Sequence, residues 1–357
     1  MGQRSDVVFV VMAGGRGDRL WPLVRSSTPK VCLPIEGKRT LLEMTLDRLT
    51  PLANPENVLI VTTASQLTPI RRILPRAFRR ALLVEPEPKN TAACLGLAAT
   101  VLARRHPSAI LVALPADQWI QPVAAFQRSV LAAIETARAG EQLVTIGIQP
   151  TRAHQGLGYI RAGAALPSRQ GCRVFRLARF VEKPSLKTAQ RLLQGGRAYW
   201  NVGIFVGGVE TFLTHLRRHL PQHAKALEPL GRIAGQARVA SRAAAAYRRL
   251  SAVSFDDGVM AHQRNSCMVE GRFAWEDLGS WDSVLRIGGH SHAPLTVNCR
   301  NVRTFRADGH LIATVGLEDV IVVHTPDATL VCRARDAQAV RTVVARLSTS
   351  RKLARYR

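Results

Sequence analysis

Residues 7–23 read VVFVVMAGGRGDRLWPL, and Pro29-Lys30 follows shortly after them. The apolar run at residues 7–12 predicts a buried strand, which leads into a glycine-rich loop. Glycine lets backbone N–H groups approach a ligand closely, and a concave row of N–H groups binds anions. Arg19 and Lys30 place two cations near this loop. We therefore predict a polyphosphate site at the end of the first strand.

The loop differs from two common phosphate-binding fingerprints. Leu20 stands where a dinucleotide-binding fingerprint has its third glycine, and no Gly-Lys-Ser/Thr sequence of a P-loop follows. The residues therefore indicate phosphate chemistry without specifying which nucleotide is bound.

The first 150 residues alternate between strand-like and helix-like patterns. The strands are expected at residues 7–12, 58–62, 81–85, 109–114 and 143–148, and the helices at residues 40–49, 67–74, 91–105 and 123–139. This order predicts a mainly parallel sheet with helices on both faces. Ligands bind beyond the carboxyl ends of such strands, where Gly14, Glu85 and Asp117 lie.

Beyond residue 150 the pattern of predicted secondary structure changes. We expect shorter strands and more turns at residues 156–205, helices at 209–250, short β runs at 295–331 and an amphipathic helix at 334–347. A boundary near residues 287–294 divides the chain into a catalytic domain, residues 1–287, and a small C-terminal β domain with a terminal helix, residues 288–357.

Composition limits the function classes. An apolar content of 46% favours a globular protein, and the apolar runs fall far short of the roughly 20 residues that span a bilayer. We find no signal peptide, so we expect a cytoplasmic protein without a membrane partner. The six cysteines are scattered without a C-x-x-C pair, so we expect neither a zinc site nor a disulfide framework.

The net charge of +25 leaves two alternatives. It is compatible with nucleic-acid binding, but the cations are dispersed and no nucleic-acid-binding motif accompanies them. We expect no nucleic acid partner, and we expect the charge to attract polyanionic substrates.

Seven collinear motifs lie at residues 14–30, 85–92, 115–117, 158–160, 180–184, 200–205 and 275–281. They resemble those of the sugar-nucleotide pyrophosphorylases, and most closely those of the mannose-1-phosphate guanylyltransferases. The resemblance implies a Rossmann-like α/β nucleotidyltransferase sheet. It also implies that a sugar-1-phosphate oxygen attacks the α-phosphorus of a nucleoside triphosphate, so that GTP and mannose-1-phosphate are the expected partners.

The resemblance also implies roles for individual residues. Arg19 and Lys30 would face the triphosphate, Lys183 the sugar phosphate, and Asp117 with Asp277 would hold Mg²⁺. The implied nucleotide subsite consists of Ala13, Gly14, Gly15, Gly17, Glu85, Asn90 and Thr91. The implied sugar subsite consists of Gly158, Glu182 and Asn201.

Several of these residues could instead have purely structural or solvent-exposed roles. Each aspartate could be a turn former, and the neighbours Glu182 and Lys183 could be a solvated pair. Gln118, Lys89, Val202 and Ala261 also depart from the family pattern. A sister enzyme with another base or sugar, or a catalytically silent paralogue that binds sugar nucleotides, therefore stays an alternative. The terminal helix suggests a homodimer.

Overall fold

The structure, a computed structural model, describes residues 6–35, 37–232, 239–288 and 294–357. Its centre is a sheet of nine strands in the order β3-β2-β1-β4-β9-β6-β10-β8-β7. These strands are β1 Val7–Met12, β2 Val58–Thr63, β3 Leu82–Glu85, β4 Ile110–Pro115, β6 Val144–Ile148, β7 Tyr159–Arg169, β8 Cys172–Val181, β9 Ala198–Gly208 and β10 Cys267–Gly271. A separate antiparallel pair joins β5 Trp119–Gln121 to β11 Ala274–Glu276.

The direction of the strands confirms the predicted, mainly parallel sheet. β1 pairs in parallel with β2 and β4, and β10 pairs in parallel with β6. β9 lies antiparallel between β4 and β6, and β8 lies antiparallel beside β10. The other seven strands therefore share one direction, so several of their carboxyl ends meet at one edge of the sheet.

Helices cover both faces of this sheet, as predicted. Along β1 the residues Val7, Phe9 and Val11 pack into one apolar core, whereas Val8 and Val10 pack into a second core on the opposite face. The helices are α1 Leu41–Leu49, α2 Leu67–Ile73, α3 Asn90–Arg105, α4 Val123–Arg138, α5 Leu186–Gln194, α6 Val209–His219, α7 Pro221–Leu227, α8 Val239–Arg248, α9 Phe255–Gly258, α10 Trp281–Arg286 and α11 Val340–Thr349. None of the helices in the described ranges is long and apolar enough to cross a membrane.

The middle of the chain differs from its prediction. Residues 156–205 contain the long strands β7 and β8 and most of β9, not the expected short strands. The central and distal parts of β7, residues 163–169, are exposed or only partly buried on both faces and contain Gly163 and Pro167. These features obscure the apolar alternation that identifies a strand.

The C-terminal segment packs against the loop that follows β1. It contains β12 Leu295–Val297 paired with β14 Ala313–Val315, and β13 Arg303–Arg306, β15 Val320–Thr325 and β16 Ala328–Arg333 in a second sheet. Phe305, Ile321 and Val340 share an apolar core with Leu20 and Trp281. The predicted terminal helix begins as a 3₁₀ segment, Ala334–Ala339, and continues as α11. Such tighter turns are common at helix N-termini. The predicted boundary at residues 287–294 falls mostly outside the described residues.

Candidate active site

The glycine loop is fixed at its start by hydrogen bonds to β2. The Ala13 N–H donates to the carbonyl of Val61 at 2.7 Å, and the Thr62 hydroxyl donates to the Ala13 carbonyl at 3.0 Å. Further along, Gly17 has a φ of 74°, and a Cβ there would lie 2.6 Å from Lys30 Cβ. Only glycine fits this position, because the loop passes directly over Lys30.

Lys30 joins three distant segments of the chain. Its side chain is nearly buried, and its Nζ donates to Asp117 Oδ2 at 2.7 Å and to the Asp277 carbonyl oxygen at 2.8 Å. Asp117 follows β4, and a Cβ on Gly15 would lie 3.8 Å from its Oδ2. The structure therefore brings the glycine loop, Lys30, Asp117 and Asp277 together at one edge of the sheet.

A tight turn orients Asp277. The carboxylate Oδ1 accepts from the Gly279 N–H at 3.0 Å, and Leu278 between them has a φ of 49°. Left-handed backbone at a buried leucine is strained, and such strain concentrates at functional sites. The guanidinium group of Arg19 lies against this turn, since its Nη2 is 3.1 Å from where a Cβ of Gly279 would lie.

Arg19 also contacts the C-terminal segment. Its Nη1 donates to Gln338 Oε1 at 2.5 Å. Arg19, Asp277 and Gln338 line a cavity of about 410 Å³, together with His154 and Arg303. The C-terminal segment therefore forms one wall of the space beside Asp277, a contact that no motif indicated.

Glu85 lies buried beneath the glycine loop. A Cβ on Gly14 would lie 3.6 Å from Glu85 Oε2, and the Tyr247 hydroxyl donates to Glu85 Oε1 at 3.5 Å. Burial raises the pKa of Glu85 to about 8, and the hydrogen bond from Tyr247 opposes this shift only partly. Glu85 is thus a buried carboxyl group beside the predicted nucleotide subsite.

The other two predicted nucleotide residues lie at the start of α3. Asn90 has a φ of 67°, and its side-chain oxygen accepts from the Thr91 N–H at 2.8 Å. The Thr91 hydroxyl accepts from the Phe255 N–H at 2.8 Å. The Thr91 side chain therefore links α3 to α9, and its role in nucleotide binding stays a prediction.

The predicted sugar residues form a second group. A Cβ on Gly158 would lie 2.5 Å from Glu182 Oε2 and 3.5 Å from Asn201 Cβ. The Asn201 N–H also donates to the Gly158 carbonyl at 2.9 Å. Lys183 follows Glu182, has a φ of 41°, and donates to Glu182 Oε1 at 2.5 Å. Partial burial lowers the pKa of Lys183, but Glu182 outweighs this effect and the net shift is upward.

Sequence reasoning missed Asp256 in this group. The Asn201 amide donates to Asp256 Oδ1 at 2.6 Å, and Asn201 Oδ1 accepts from the Thr145 hydroxyl at 2.9 Å. Burial raises the pKa of Asp256 to about 7, and the charge of Glu182 adds to the shift. Asp256 lies outside the seven motifs, and its closeness to β9 arises only on folding.

Asp117 and Asp277 suit a hard divalent cation. Both side chains are carboxylates, which Mg²⁺ prefers. The Lys30 ammonium group connects their two loops, through the carboxylate of Asp117 and the backbone carbonyl of Asp277. The Asp117 side chain remains 26% exposed. The donor set therefore fits Mg²⁺ together with phosphate oxygens.

The fold and this site define a nucleotidyl transferase. Residues 8–292 match the family described as Nucleotidyl transferase, and residues 297–347 match the MannoseP isomerase/GMP-like beta-helix domain. The chain belongs to the nucleotidyl transferase family, and its predicted resemblance is confirmed.

Similar proteins indicate which members of the nucleotidyl transferase family this chain resembles. The chain is 35% identical to the xanthan biosynthesis protein XanB of Xanthomonas campestris pv. campestris, over 97% of this chain and 74% of that protein. It is 30% identical to a mannose-1-phosphate guanylyltransferase of Escherichia coli, over 97% of this chain and 76% of the relative. A crystal structure described as mannose-1-phosphate geranyltransferase from Thermus thermophilus superposes with a TM-score of 0.82 at 34% identity, covering 96% of this chain and all of that one.

Proposed function

We propose that this protein transfers GMP from GTP to mannose-1-phosphate, giving GDP-mannose and pyrophosphate. The observation that carries the proposal is the position of Lys30, whose ammonium group lies between the Asp117 carboxylate and the Asp277 carbonyl below the glycine loop. Relatives that are named for this activity support the choice of substrates.

The reaction is an in-line displacement at phosphorus. A phosphate oxygen of mannose-1-phosphate attacks the α-phosphorus of GTP, the bond to the oxygen that bridges to the β-phosphate breaks, and pyrophosphate leaves with the bonding electrons. The protein has little covalent chemistry to perform, so positioning and charge stabilisation provide the catalysis. Lys30 and Arg19 are the cations that we assign to the triphosphate.

Asp117 and Asp277 are the residues that would hold Mg²⁺. The bound ion would neutralise charge on the phosphate oxygens during the displacement. Lys30 orients both aspartate loops, because its single ammonium group is bonded to both of them.

We assign the sugar phosphate to the group of predicted sugar residues around Gly158. Lys183 supplies a cation at the end of β8, and Glu182 and Asn201 supply hydrogen-bonding groups for sugar hydroxyls beside Gly158. The hydrogen bonds of Asn201 to Thr145 and Asp256 fix the direction of its amide.

The base is assigned to Glu85. An ionised carboxylate accepts hydrogen bonds from the ring N–H and the amino group of guanine, whereas adenine has no ring N–H at the matching position. Such hydrogen bonds favour the ionised form of Glu85 and would lower its raised pKa when the base binds. The position of Glu85 against Gly14 supports a preference for GTP.

The test is pyrophosphate release from GTP, ATP, UTP and dTTP, each with mannose-1-phosphate and glucose-1-phosphate. We expect the pair of GTP and mannose-1-phosphate to be turned over fastest. A higher rate with another pair would identify a sister enzyme, and no release with any pair would identify a silent paralogue.

Lys30→Ala tests the site itself. We expect turnover to fall at least roughly tenfold, because a positioned cation is lost. Lys38→Ala is the matched control, since Lys38 is an exposed lysine nearby. Equal rates for both variants would remove Lys30 from the mechanism.

A further inference from the structure

Two histidines and an aspartate meet in the C-terminal segment, away from the candidate active site. Asp308 and His310 lie on the turn that follows β13, and His324 lies near the end of β15. One ligand atom from each residue lies within 4.8 Å of the others. The expectation that the chain has no zinc site rested on its cysteines, and it did not consider these histidines.

Hydrogen bonds orient the side chains of His324 and Asp308. The Thr329 hydroxyl lies 3.0 Å from His324 Nδ1, which leaves Nε2 to face Asp308 Oδ2 at 3.8 Å. The other carboxylate oxygen, Asp308 Oδ1, accepts from the backbone N–H of His310 at 3.0 Å. A second hydrogen bond of this kind is what fixes the ring orientation of metal-binding histidines.

The spacing matches ligands of one metal ion better than a direct hydrogen bond. The 3.8 Å between His324 Nε2 and Asp308 Oδ2 is too long for a hydrogen bond. Two ligands that are each about 2.1 Å from a tetrahedral zinc ion lie roughly 3.4 Å apart. The rings of His310 and His324 stack with centroids 4.0 Å apart at an angle of 20°, so a rotation of the exposed His310 ring is needed to aim both rings at one ion.

We propose that Asp308, His310 and His324 bind a divalent transition-metal ion of the Zn²⁺ type. Imidazole nitrogen with one carboxylate oxygen selects zinc, cobalt or nickel over magnesium. The ion would tie the turn at residues 308–310 to the sheet that contains β15 and β16. The ligands are partly exposed, so water can complete the coordination.

Arg306 is the cation beside this group. Its Nη1 donates to the carbonyls of Gly309 and His310, at 3.2 and 2.6 Å. The guanidinium group therefore holds the turn in place, while its charge opposes a second cation nearby. We expect the site to bind metal more weakly than a closed structural zinc site, for which all ligands come from the protein.

The test uses the full chain without a polyhistidine tag. Zn²⁺ binding is measured by calorimetry, and Co²⁺ is used as a spectroscopic probe. We expect one Zn²⁺ ion per chain, and visible Co²⁺ bands without a sulfur-to-cobalt charge-transfer band. A charge-transfer band would show that cysteines bind the ion and would overturn the proposal, as would the absence of binding.

Variants locate the ion. His310→Gln and His324→Gln should each weaken Zn²⁺ binding at least about tenfold, and Thr329→Val should weaken it by roughly the same factor through loss of ring orientation. Thermal unfolding without metal shows whether each variant is folded, and the Thr329→Val variant keeps all three ligands.

A second histidine group provides the control. His215 and His219 lie one turn apart on α6, with stacked rings whose centroids are 6.0 Å apart. The double variant His215→Gln/His219→Gln should bind Zn²⁺ as the natural chain does. Binding that is lost in this double variant but kept in His324→Gln would assign the ion to α6 and overturn the proposal.

Discussion

At the scale of single residues, three left-handed backbone positions mark the candidate site. Asn90, Lys183 and Leu278 have φ values of 67°, 41° and 49°. Each lies within a motif that the sequence analysis selected, and such conformations cost of order 1–3 kcal/mol unless the surroundings enforce them. The strain is explained if these positions set the direction of neighbouring functional side chains, such as Asp277 before Leu278.

Asp277→Asn tests the proposed metal role. The amide keeps the hydrogen bond from the Gly279 N–H but loses the negative charge. We expect the Mg²⁺ concentration for half-maximal turnover to rise, with the thermal unfolding midpoint nearly unchanged. The check is a Mg²⁺ titration of pyrophosphate release, and a titration curve equal to that of the natural chain would remove Asp277 from the metal site.

A substitution at Asp256 tests the residue that sequence reasoning missed, but asparagine would keep an acceptor for the Asn201 amide. Asp256→Ala is therefore the variant to measure, because it removes the acceptor of the hydrogen bond from Asn201, so that the amide of Asn201 loses its fixed direction. We expect the KM for mannose-1-phosphate to rise several-fold while the KM for GTP stays constant. Asp257→Ala is the neighbouring control, because Asp257 bonds instead to Ser254 at the start of α9. Equal rises in both KM values would indicate general damage to the fold.

At the scale of elements, α1 shows a local signal that sufficed. The sequence predicts a capping box at Thr40 and Glu43, and the structure contains it. Thr40→Ala should lower the free energy of unfolding by about 1 kcal/mol, because the Glu43 N–H loses its acceptor. Urea denaturation measures the change, and Thr40→Ser should retain most of the stability. A Ser variant as unstable as the Ala variant would contradict the capping explanation.

The strands show where such local signals end. β1 was predicted with its bounds because a continuous apolar run is buried on both faces. β9 is also largely buried, but its insertion between β4 and β6 depends on pairing with residues far away in the chain. No local pattern encodes that partner choice. The long strands of the middle region were therefore predicted as short pieces.

The candidate site likewise contains residues that local motifs identify and contacts that depend on tertiary packing. Lys30, Asp117 and Asp277 could be selected because each lies in a motif of recognisable residues, and the structure places them in contact. The link between Arg19 and Gln338 could not be selected, because it depends on how the C-terminal segment packs. The sequence therefore indicated the reactive residues of the candidate site, whereas the residues that enclose it depend on how distant segments pack.

At the scale of the whole molecule, the C-terminal segment and the glycine loop share structure. The Trp281 indole donates to the Trp21 carbonyl at 2.7 Å, and the Trp21 indole donates to the Tyr356 carbonyl at 2.8 Å. Trp21 belongs to the same motif as Arg19 and Lys30. The position of the glycine loop therefore depends on the last residues of the chain as well as on β1.

Two buried carboxyl groups give the whole molecule a distinct dependence on pH. Burial raises the pKa of Glu85 from 4.5 to about 8 and the pKa of Asp256 from 3.8 to about 7. Between about pH 4 and pH 8 the folded protein therefore binds more protons than the unfolded chain. The stabilisation by the two neutral carboxyl groups is complete below about pH 4, decreases as the pH rises, and is lost once the pH has passed the folded pKa values of about 7 and 8. Relative to the double variant Glu85→Gln/Asp256→Asn, the natural chain should therefore lose up to a few kcal/mol of unfolding free energy between pH 5 and pH 8. Urea denaturation of both proteins across this range measures the difference, in which the effects of all other charged groups cancel to first order. A difference that stays constant from pH 5 to pH 8 would show that neither carboxyl group is held neutral by burial.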